Sequence, residues 1–295
     1  MTKDMYSYNF NRIRRLHFMR EIDKKLEDLR RYIASFDGIA VAFSGGVDST
    51  FLLKVCHDVL GDRCIALTAR SESFPAREME EAIAFCEKEN IRQILFRSGE
   101  TELEQYVSNP KDRCYHCKHL LFSKMKQLAA EQGISVVAEG SNMDDLGDYR
   151  PGLRAIEELQ VISPLRKAHL YKSEIRTLSK EMGLPTWGKQ SFACLASRFV
   201  YGERITPEKL RMVGHAEEVL CEMGLAQYRV RIHGNMARIE VLPSDFECIL
   251  REENREKIIR EFRKAGFTYV TMDLMGYRTG SMNEVLPDNV KHGEA

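Results

Sequence analysis

Ala42-Phe43-Ser44-Gly45-Gly46-Val47-Asp48-Ser49-Thr50 (AFSGGVDST) joins a nearly all-apolar run over residues 38–43 (GIAVAF) to a stretch with helical spacing, Phe51, Leu52, Val55 and Leu60. A run of that kind reads as a strand buried on both faces. Gly45 and Gly46 permit tight backbone geometry and the close approach of a ligand. Ser49 and Thr50 open a helix whose free N–H groups and positive dipole end face the loop, so phosphate is its natural occupant. The loop is not the G-x-x-x-x-G-K-[ST] type, because no lysine stands at the required place. It carries Asp48 instead, a residue that suits a phosphate only when a cation bridges the two, and Mg²⁺ would serve.

The pattern continues outward from this loop. Residues 20–36 space Ile22, Leu26, Leu29 and Ile33 as an amphipathic helix. Residues 64–68 (CIALT), 93–96 and 134–138 (ISVVA) read as further strands, with helices over 76–90 and 115–132 between them. Alternation of this kind predicts a parallel sheet with helices on both faces. The pattern changes after residue 190. A helix over 207–223 precedes two alternating runs, 228–232 (YRVRI) and 237–241 (ARIEV), joined by a hairpin turn at 233–236. A helix over about 245–265 and a strand over 269–273 follow. The expectation is therefore an α/β domain over 1–190 and a small α+β domain with an antiparallel sheet over 191–295.

The 295 residues carry 44 Lys plus Arg against 44 Asp plus Glu, so bulk charge gives no attraction to nucleic acid. The apolar share of 43% is enough for a sizeable core, and no apolar run is long enough to span a membrane. The first 20 residues hold Arg12, Arg14, Arg15 and Arg20 but no apolar secretory segment. Eight cysteines without an export signal read as reduced thiols of a cytoplasmic chain.

Cys114-Tyr115-His116-Cys117 is a C-x-x-C at the start of a predicted helix. Alone it suits half of a zinc site, completed by His116 or His119, a redox pair, or part of an iron–sulfur site. Cys194 falls in the hand-over between the two domains, while Cys56, Cys64, Cys86, Cys221 and Cys248 read as packing residues. Residues 140–145 (GSNMDD) follow a predicted strand. Gly140 and Asp144 there suit a second nucleotide or Mg²⁺ contact, or simply a capped loop. Arg229 and Arg231 alternate onto one face of a strand, where paired guanidinium forks suit a phosphate.

Ser-Gly-Gly-x-Asp-Ser resembles the pyrophosphate loop of the N-type ATP pyrophosphatases, which cleave ATP between the α and β phosphates. The resemblance implies an adenine nucleotide alpha hydrolase-like sheet and assigns Ser44, Gly45, Gly46, Asp48, Ser49 and Thr50 to ATP or its Mg²⁺. Narrower strings resemble the LarE family: residues 193–199 (ACLASRF), 148–155 (DYRPGLRA), 229–233 (RVRIH) with 237–240 (ARIE), and 269–274 (YVTMDL). The likeness runs from about residue 20 to 285. It implies an ATP-dependent sulfur transferase of nickel-pincer nucleotide biosynthesis, which adenylates a carboxylate of pyridinium dicarboxylate mononucleotide and converts it to a thiocarboxylate. One version of the family sacrifices the sulfur of a single cysteine, matching Cys194. The other holds a 4Fe–4S cluster on three cysteines and draws on sulfide. Cys114 and Cys117 beside Cys194 favour the cluster version. The resemblance further implies Ser197 and Arg198 as catalytic groups, the substrate phosphate on Arg229 and Arg231, Glu217 and Glu240 as metal or substrate ligands, and assembly from trimers. Two rival readings are a tRNA thiolase of the same superfamily and a non-catalytic adenylate- or metal-binding module.

Overall fold

The computed structural model describes residues 21–146, 151–190, 193–278 and 280–285. Outside the described residues lie the arginines at 12, 14, 15 and 20, position 20 of the first helix, Asp148, Tyr149 and Arg150 of the 148–155 string, residue 191 at the expected domain boundary, and residues 286–295.

Helix α1 (residues 21–34) buries Ile22, Leu26, Leu29 and Ile33, as its spacing predicts. The first sheet has the order β3-β2-β1-β4, built from β1 (Ile39–Ala42), β2 (Cys64–Arg70), β3 (Gln93–Arg97) and β4 (Val137–Ala138), with every pairing parallel. Side-chain alternation divides its two faces. Ile39 and Val41 pack into a core with α1, α2 (Val47–Leu60), α3 (Ala76–Lys88) and α8 (Lys172–Glu181). Ala40, Ile65 and Leu67 pack on the opposite face with α5 (Arg113–Glu131) and α6 (Gly152–Glu158). Two short helices, α4 (Glu104–Val107) and α7 (Pro164–Lys167), complete this part.

Of the strand expected over 134–138, only Val137 and Ala138 are in β4. The chain leaves α5 through Gly133, at φ 73°, and the Ile134 N–H returns to the Ala129 carbonyl. The start of the run is thus engaged in ending the helix.

The second sheet has the order β5-β6-β7, from β5 (Tyr228–His233), β6 (Met236–Val241) and β7 (Tyr269–Met272). A two-residue turn at Gly234 and Asn235 closes the hairpin, with His233 opposite Met236. The expected antiparallel sheet is instead mixed, since β6 and β7 run parallel. The cause is the connection: α10 (Phe246–Leu250) and α11 (Glu252–Ala265) cross over between the two strands, as parallel neighbours require. The single helix expected there is broken at Arg251, whose ψ of 137° is extended. Apolar residues of this sheet pack on α9 (Pro207–Glu222) and α11, and Tyr106 and Val107 of α4 join that second core. Among the described residues no helix is long and apolar enough to cross a membrane.

Candidate active site

The glycine loop sits where β1 delivers it, at the sheet's C-terminal edge. Gly45 holds φ at 66°, and a Cβ there would lie 3.2 Å from the Ala82 Cβ and 3.3 Å from the Glu78 carbonyl. Gly46 caps α2 with an extended backbone. The hydroxyls of Ser44 and Ser49 stand 3.1 Å apart, and Ser49 Oγ donates to the Gly46 carbonyl at 3.2 Å. Gly140 closes on the same turn: a Cβ there would meet Ser49 N at 3.1 Å and the Asp48 carbonyl carbon at 3.3 Å. A larger residue would push β4's exit loop off the first turn of α2.

Asp48 Oδ2 accepts a hydrogen bond from Lys172, and Oδ1 is buried with no hydrogen-bond partner among the described residues. Burial raises the Asp48 carboxyl above its usual range, with Lys172 pulling it back and the charge of Asp145 adding to the rise. An orphaned, desolvated carboxylate oxygen beside free helix N–H groups fits a bridging divalent cation. Asp144 has a different setting. Its Oδ2 accepts the Lys172 N–H at 2.6 Å and Asp145 Oδ2 accepts the Asn142 N–H at 2.9 Å, so both carboxylates satisfy local backbone donors. Thr50 Oγ1, fully buried, has no hydrogen-bond partner among the described residues. Lys189 donates to the Gly45 carbonyl at 3.2 Å and pairs with Glu78 at 2.6 Å.

A cleft of about 1220 Å³ runs from this loop to the second core. Gly45 and Thr50 line one end, and Leu195, Glu217 and Tyr228 line the other. The chain after Cys194 is fixed by the Leu195 N–H, which donates to the Ser73 carbonyl at 2.9 Å.

Cys114 and Cys117 occupy the first turn and a half of α5, and Cys194 is exposed at the start of the Leu195–Arg198 turn. Arg113 lies among them, 2% exposed. It donates to Asn109 Oδ1 at 2.5 Å, the Ala196 carbonyl at 2.9 Å and Cys114 Sγ at 3.7 Å. Burial pushes the Cys117 thiol well up, and the neighbouring charges of Cys194, Glu100 and Cys114 push it further. Cys194 is also raised, first by the protein packed around it, against the pull of Arg113 and Arg198. The three thiols thus share one electrostatic neighbourhood. Among the described residues no three His, Cys, Asp or Glu side chains stand as a ready metal-binding group. As a donor set, three thiols with a buried guanidinium to offset thiolate charge fit an iron–sulfur cluster with one iron left open. Of the five other cysteines, Cys56, Cys64 and Cys86 are buried, Cys221 receives Arg77 Nη1 at 2.9 Å, and Cys248 lies 3.5 Å from Asn254 Nδ2.

Arg198, Arg229 and Arg231 are all buried. Arg198 grips Glu217 with both forks at 2.8 Å and holds the carbonyls of Ala193 and Cys194 and the Ser197 hydroxyl with its remaining nitrogen. Burial disfavours its charge, but Glu217 outweighs that and keeps its pKa high. Glu217 also accepts the Val230 N–H at 3.0 Å. Arg231 pairs with Glu240 at 3.0 Å and donates to the Ser197 carbonyl at 2.8 Å, and Arg238 takes the other oxygen of Glu240 at 3.0 Å. The carboxylates of Glu217 and Glu240 are therefore committed to guanidinium groups rather than open to a metal ion. Arg229 reaches the Tyr228 carbonyl at 2.6 Å and lies over the Tyr277 ring. Burial and the nearby Arg198 lower its pKa.

Sequence reasoning missed Arg113, Lys172, Lys189, Glu100 and Tyr106. Only Arg113 carried a local signal, its place next to Cys114. The others come together through contacts between distant segments.

The glycine loop and parallel sheet place the chain in the PP-loop class of ATP-utilising proteins, and the NAD synthase family profile matches residues 21–122. The chain is 36% identical over 262 residues to the pyridinium-3,5-bisthiocarboxylic acid mononucleotide synthase of Lactiplantibacillus plantarum, covering 88% of this chain and 92% of that one. It is 42% identical over 265 residues to the uncharacterized protein slr1717 of Synechocystis, covering 90% and 99%. One subunit of the glutamine-hydrolyzing GMP synthase of Pyrococcus furiosus is 28% identical over 217 residues, 68% of each chain. The chain belongs to the LarE family.

Proposed function

We propose that the protein is an ATP-dependent sulfur transferase acting on pyridinium dicarboxylate mononucleotide. The observation that carries this reading is the shared cleft, lined at one end by Gly45 and Thr50 and at the other by Leu195 and Glu217. Residues 1–190 serve as the ATP domain and 191–295 as the substrate domain. Ser44, Gly45, Gly46, Ser49 and Thr50 hold the β and γ phosphates, with Gly140 letting the loop close and Asp48 holding Mg²⁺; Asp144 braces Lys172 beside it. The substrate carboxylate attacks the α phosphorus, an O–P bond forms, and pyrophosphate leaves with the electron pair of the broken P–O bond. A carboxylate is a poor electrophile, and the acyl adenylate supplies a good leaving group. A sulfur nucleophile then forms the C–S bond as AMP departs.

Arg229 and Arg231 receive the substrate phosphate, while Glu217 and Glu240 orient the arginines. Arg198 fixes the backbone around Cys194, and Ser197 sets Arg231 through its carbonyl. Cys114, Cys117 and Cys194 would hold a 4Fe–4S cluster, which supplies, when bound, an open iron for sulfide. Thiols from two segments in one electrostatic neighbourhood support this over sacrifice of Cys194 alone.

Protein purified without oxygen and given ATP, Mg²⁺, sulfide and the dicarboxylate nucleotide should yield pyrophosphate and the thioacid by mass spectrometry. Cys114→Ala and Cys117→Ala should remove the brown absorbance and sulfide-dependent turnover. Multiple turnover in both variants would overturn the cluster. Loss of a sulfur mass at Cys194 after reaction would restore the sacrificial route. Pyrophosphate released only with tRNA would point to a tRNA thiolase, and none with any substrate to a non-catalytic module.

A further inference from the structure

Lys189 is a partly buried lysine that the reading above leaves without a role. Its backbone is locked at both ends: the N–H donates to the Thr186 carbonyl at 2.9 Å, and the carbonyl accepts from Arg176 Nη2 at 2.6 Å. Arg176 Nη1 holds the Trp187 carbonyl of the same loop, also at 2.6 Å. The side chain, 14% exposed, lies against the glycine turn. Its ammonium donates to the Gly45 carbonyl at 3.2 Å and pairs with Glu78 at 2.6 Å and Glu81 at 2.7 Å, two carboxylates one turn apart on α3. An ammonium has three N–H groups, and three acceptors surround this one. Lys189 therefore serves the turn and α3, with no donor left over for a ligand.

The Gly45–Gly46 peptide is planar and trans, so its carbonyl and the Gly46 N–H point to opposite sides of the chain. Drawing the carbonyl to Lys189 turns the Gly46 N–H the other way. That N–H makes no hydrogen bond among the described residues. The space beside Gly46 is open: beyond the chain neighbours, a Cβ there would meet only Ser44 Oγ within 4 Å, at 3.5 Å. A peptide between two glycines meets little steric resistance to rotation, so the turn by itself does not fix which of the two groups faces that space. We propose that Lys189 is the positioning residue of the phosphate cradle: it holds the Gly45 carbonyl back and so keeps the Gly46 N–H turned out to an incoming phosphate. This rests on the reading of the glycine loop as the site of the ATP phosphates. Without Lys189 the peptide can turn its carbonyl oxygen outward, and an acceptor there repels an anion. Glu78 and Glu81 hold the ammonium in place from α3, the helix that also packs on Gly45.

The test uses the full chain with Mg²⁺ and inorganic pyrophosphate, followed by calorimetry and by the Gly46 amide resonance of protein labelled with ¹⁵N-glycine, assigned by its loss in Gly46→Ala. In the wild type that resonance should move downfield as pyrophosphate binds. Binding without such a movement would overturn the inference. Lys189→Met should bind pyrophosphate about tenfold or more weakly, as loss of a charge-assisted hydrogen bond to the turn implies, while AMP, which lacks the β and γ phosphates, binds within about twofold of the wild type. An unchanged affinity for pyrophosphate refutes the positioning role, and so does an equal loss for AMP, which would mark general damage to the cleft. Removing the lysine also leaves two carboxylates uncompensated near the loop. The triple variant Lys189→Met, Glu78→Gln, Glu81→Gln removes both carboxylates with the lysine and should stay about as weak as Lys189→Met. Recovery of wild-type affinity would make Lys189 a charge shield and overturn the positioning role. The triple variant also carries the test should Lys189→Met not fold. A wild type that binds no pyrophosphate sinks the phosphate reading of the loop and this inference with it, whereas a wild type that binds it no better than either variant sinks this inference alone.

Discussion

Exchanging each glycine of the loop for alanine separates what folding requires from what the ligand requires. Gly45 sits at φ +66°, where a side chain costs about 1–2 kcal/mol. The added Cβ would also press on Ala82 at 3.2 Å and on the Glu78 carbonyl at 3.3 Å, so α3 must give by a few tenths of an ångström. Gly45→Ala should therefore destabilise by roughly 2 kcal/mol, about 30-fold in the folding equilibrium. In a chain of this size that is a fall in Tm of about 4 °C. Gly46 differs in both respects. Its φ of −79° is open to any residue, and the nearest atom to an added Cβ is Ser44 Oγ at 3.5 Å, an ordinary contact. Alanine is a poorer N-cap than glycine, but it also lowers the entropy of the unfolded chain, so the two effects offset to within about 0.5 kcal/mol. Gly46→Ala should thus melt with the wild type. If the loop cradles phosphate, however, the methyl group occupies the space where the ligand meets the backbone, and ATP-dependent pyrophosphate release should fall by about two orders of magnitude, as misplacement of a reacting group does. Calorimetry and a pyrophosphate assay on both variants decide the matter. A Gly46→Ala protein that keeps its turnover would refute the cradle, and a Gly45→Ala protein with an unchanged Tm would refute the strain argument.

Glu217→Ala strands the buried guanidinium of Arg198 and should cost about 3–5 kcal/mol by urea unfolding, and a loss below about 1 kcal/mol would show that the pair is not fully desolvated. His233 has its pKa lowered by burial and then by Arg238. Its unfolded form therefore takes the proton first, and its contribution is complete above about pH 6.5 and lost as the pH falls through that value toward the folded pKa. The urea midpoint of the wild type should drop across that window more than that of His233→Gln, and parallel profiles would count against the assignment. Asp48 has the opposite sign for a carboxylate, since burial raises its folded pKa. Its ionisation thus weakens the fold as the pH rises through that pKa, and Asp48→Asn should be at least as stable as the wild type at pH 7 while losing pyrophosphate release. A markedly less stable Asp48→Asn would mean that the Lys172 pair outweighs the cost of burial.

Much of the fold was legible because each strand of the first sheet is short, apolar and bounded by a helix with a clear stop. The exceptions have local causes. Ile134 is as apolar as Val137, yet its N–H is drawn back to Ala129 by the end of α5. The direction of β7 could not be read from its own alternation, because a strand's direction is set by the connection before it. The break at Arg251 has no helix-breaking residue to announce it; Asn254 Nδ2 holds the Cys248 carbonyl across it. In the site, the glycine loop stands out in the sequence because the residues that shape its turn are contiguous. Arg113, Glu100 and Tyr106 were not, because their contacts join residues separated by up to 83 positions, as between Arg113 and Ala196.

Glu217 and Glu240 show how one pair of carboxylates admits two chemistries in sequence, ligand to a metal or substrate and partner to a guanidinium group. Carboxylates in a functional region read naturally as metal ligands, but a buried carboxylate must be compensated, and guanidinium groups already do so at both positions. Three arginines (198, 229 and 231) and two glutamates (217 and 240) are buried on this side. Burial and the neighbouring Arg198 depress the pKa of Arg229, so an anion placed beside it would favour its charged form. The same logic runs in reverse at the glycine loop, where Asp48 is desolvated beside free helix N–H groups and a divalent cation would restore the balance. The cleft that Gly45 and Thr50 share with Glu217 therefore joins the loop beside this carboxylate to the carboxylate that holds the buried guanidinium of Arg198.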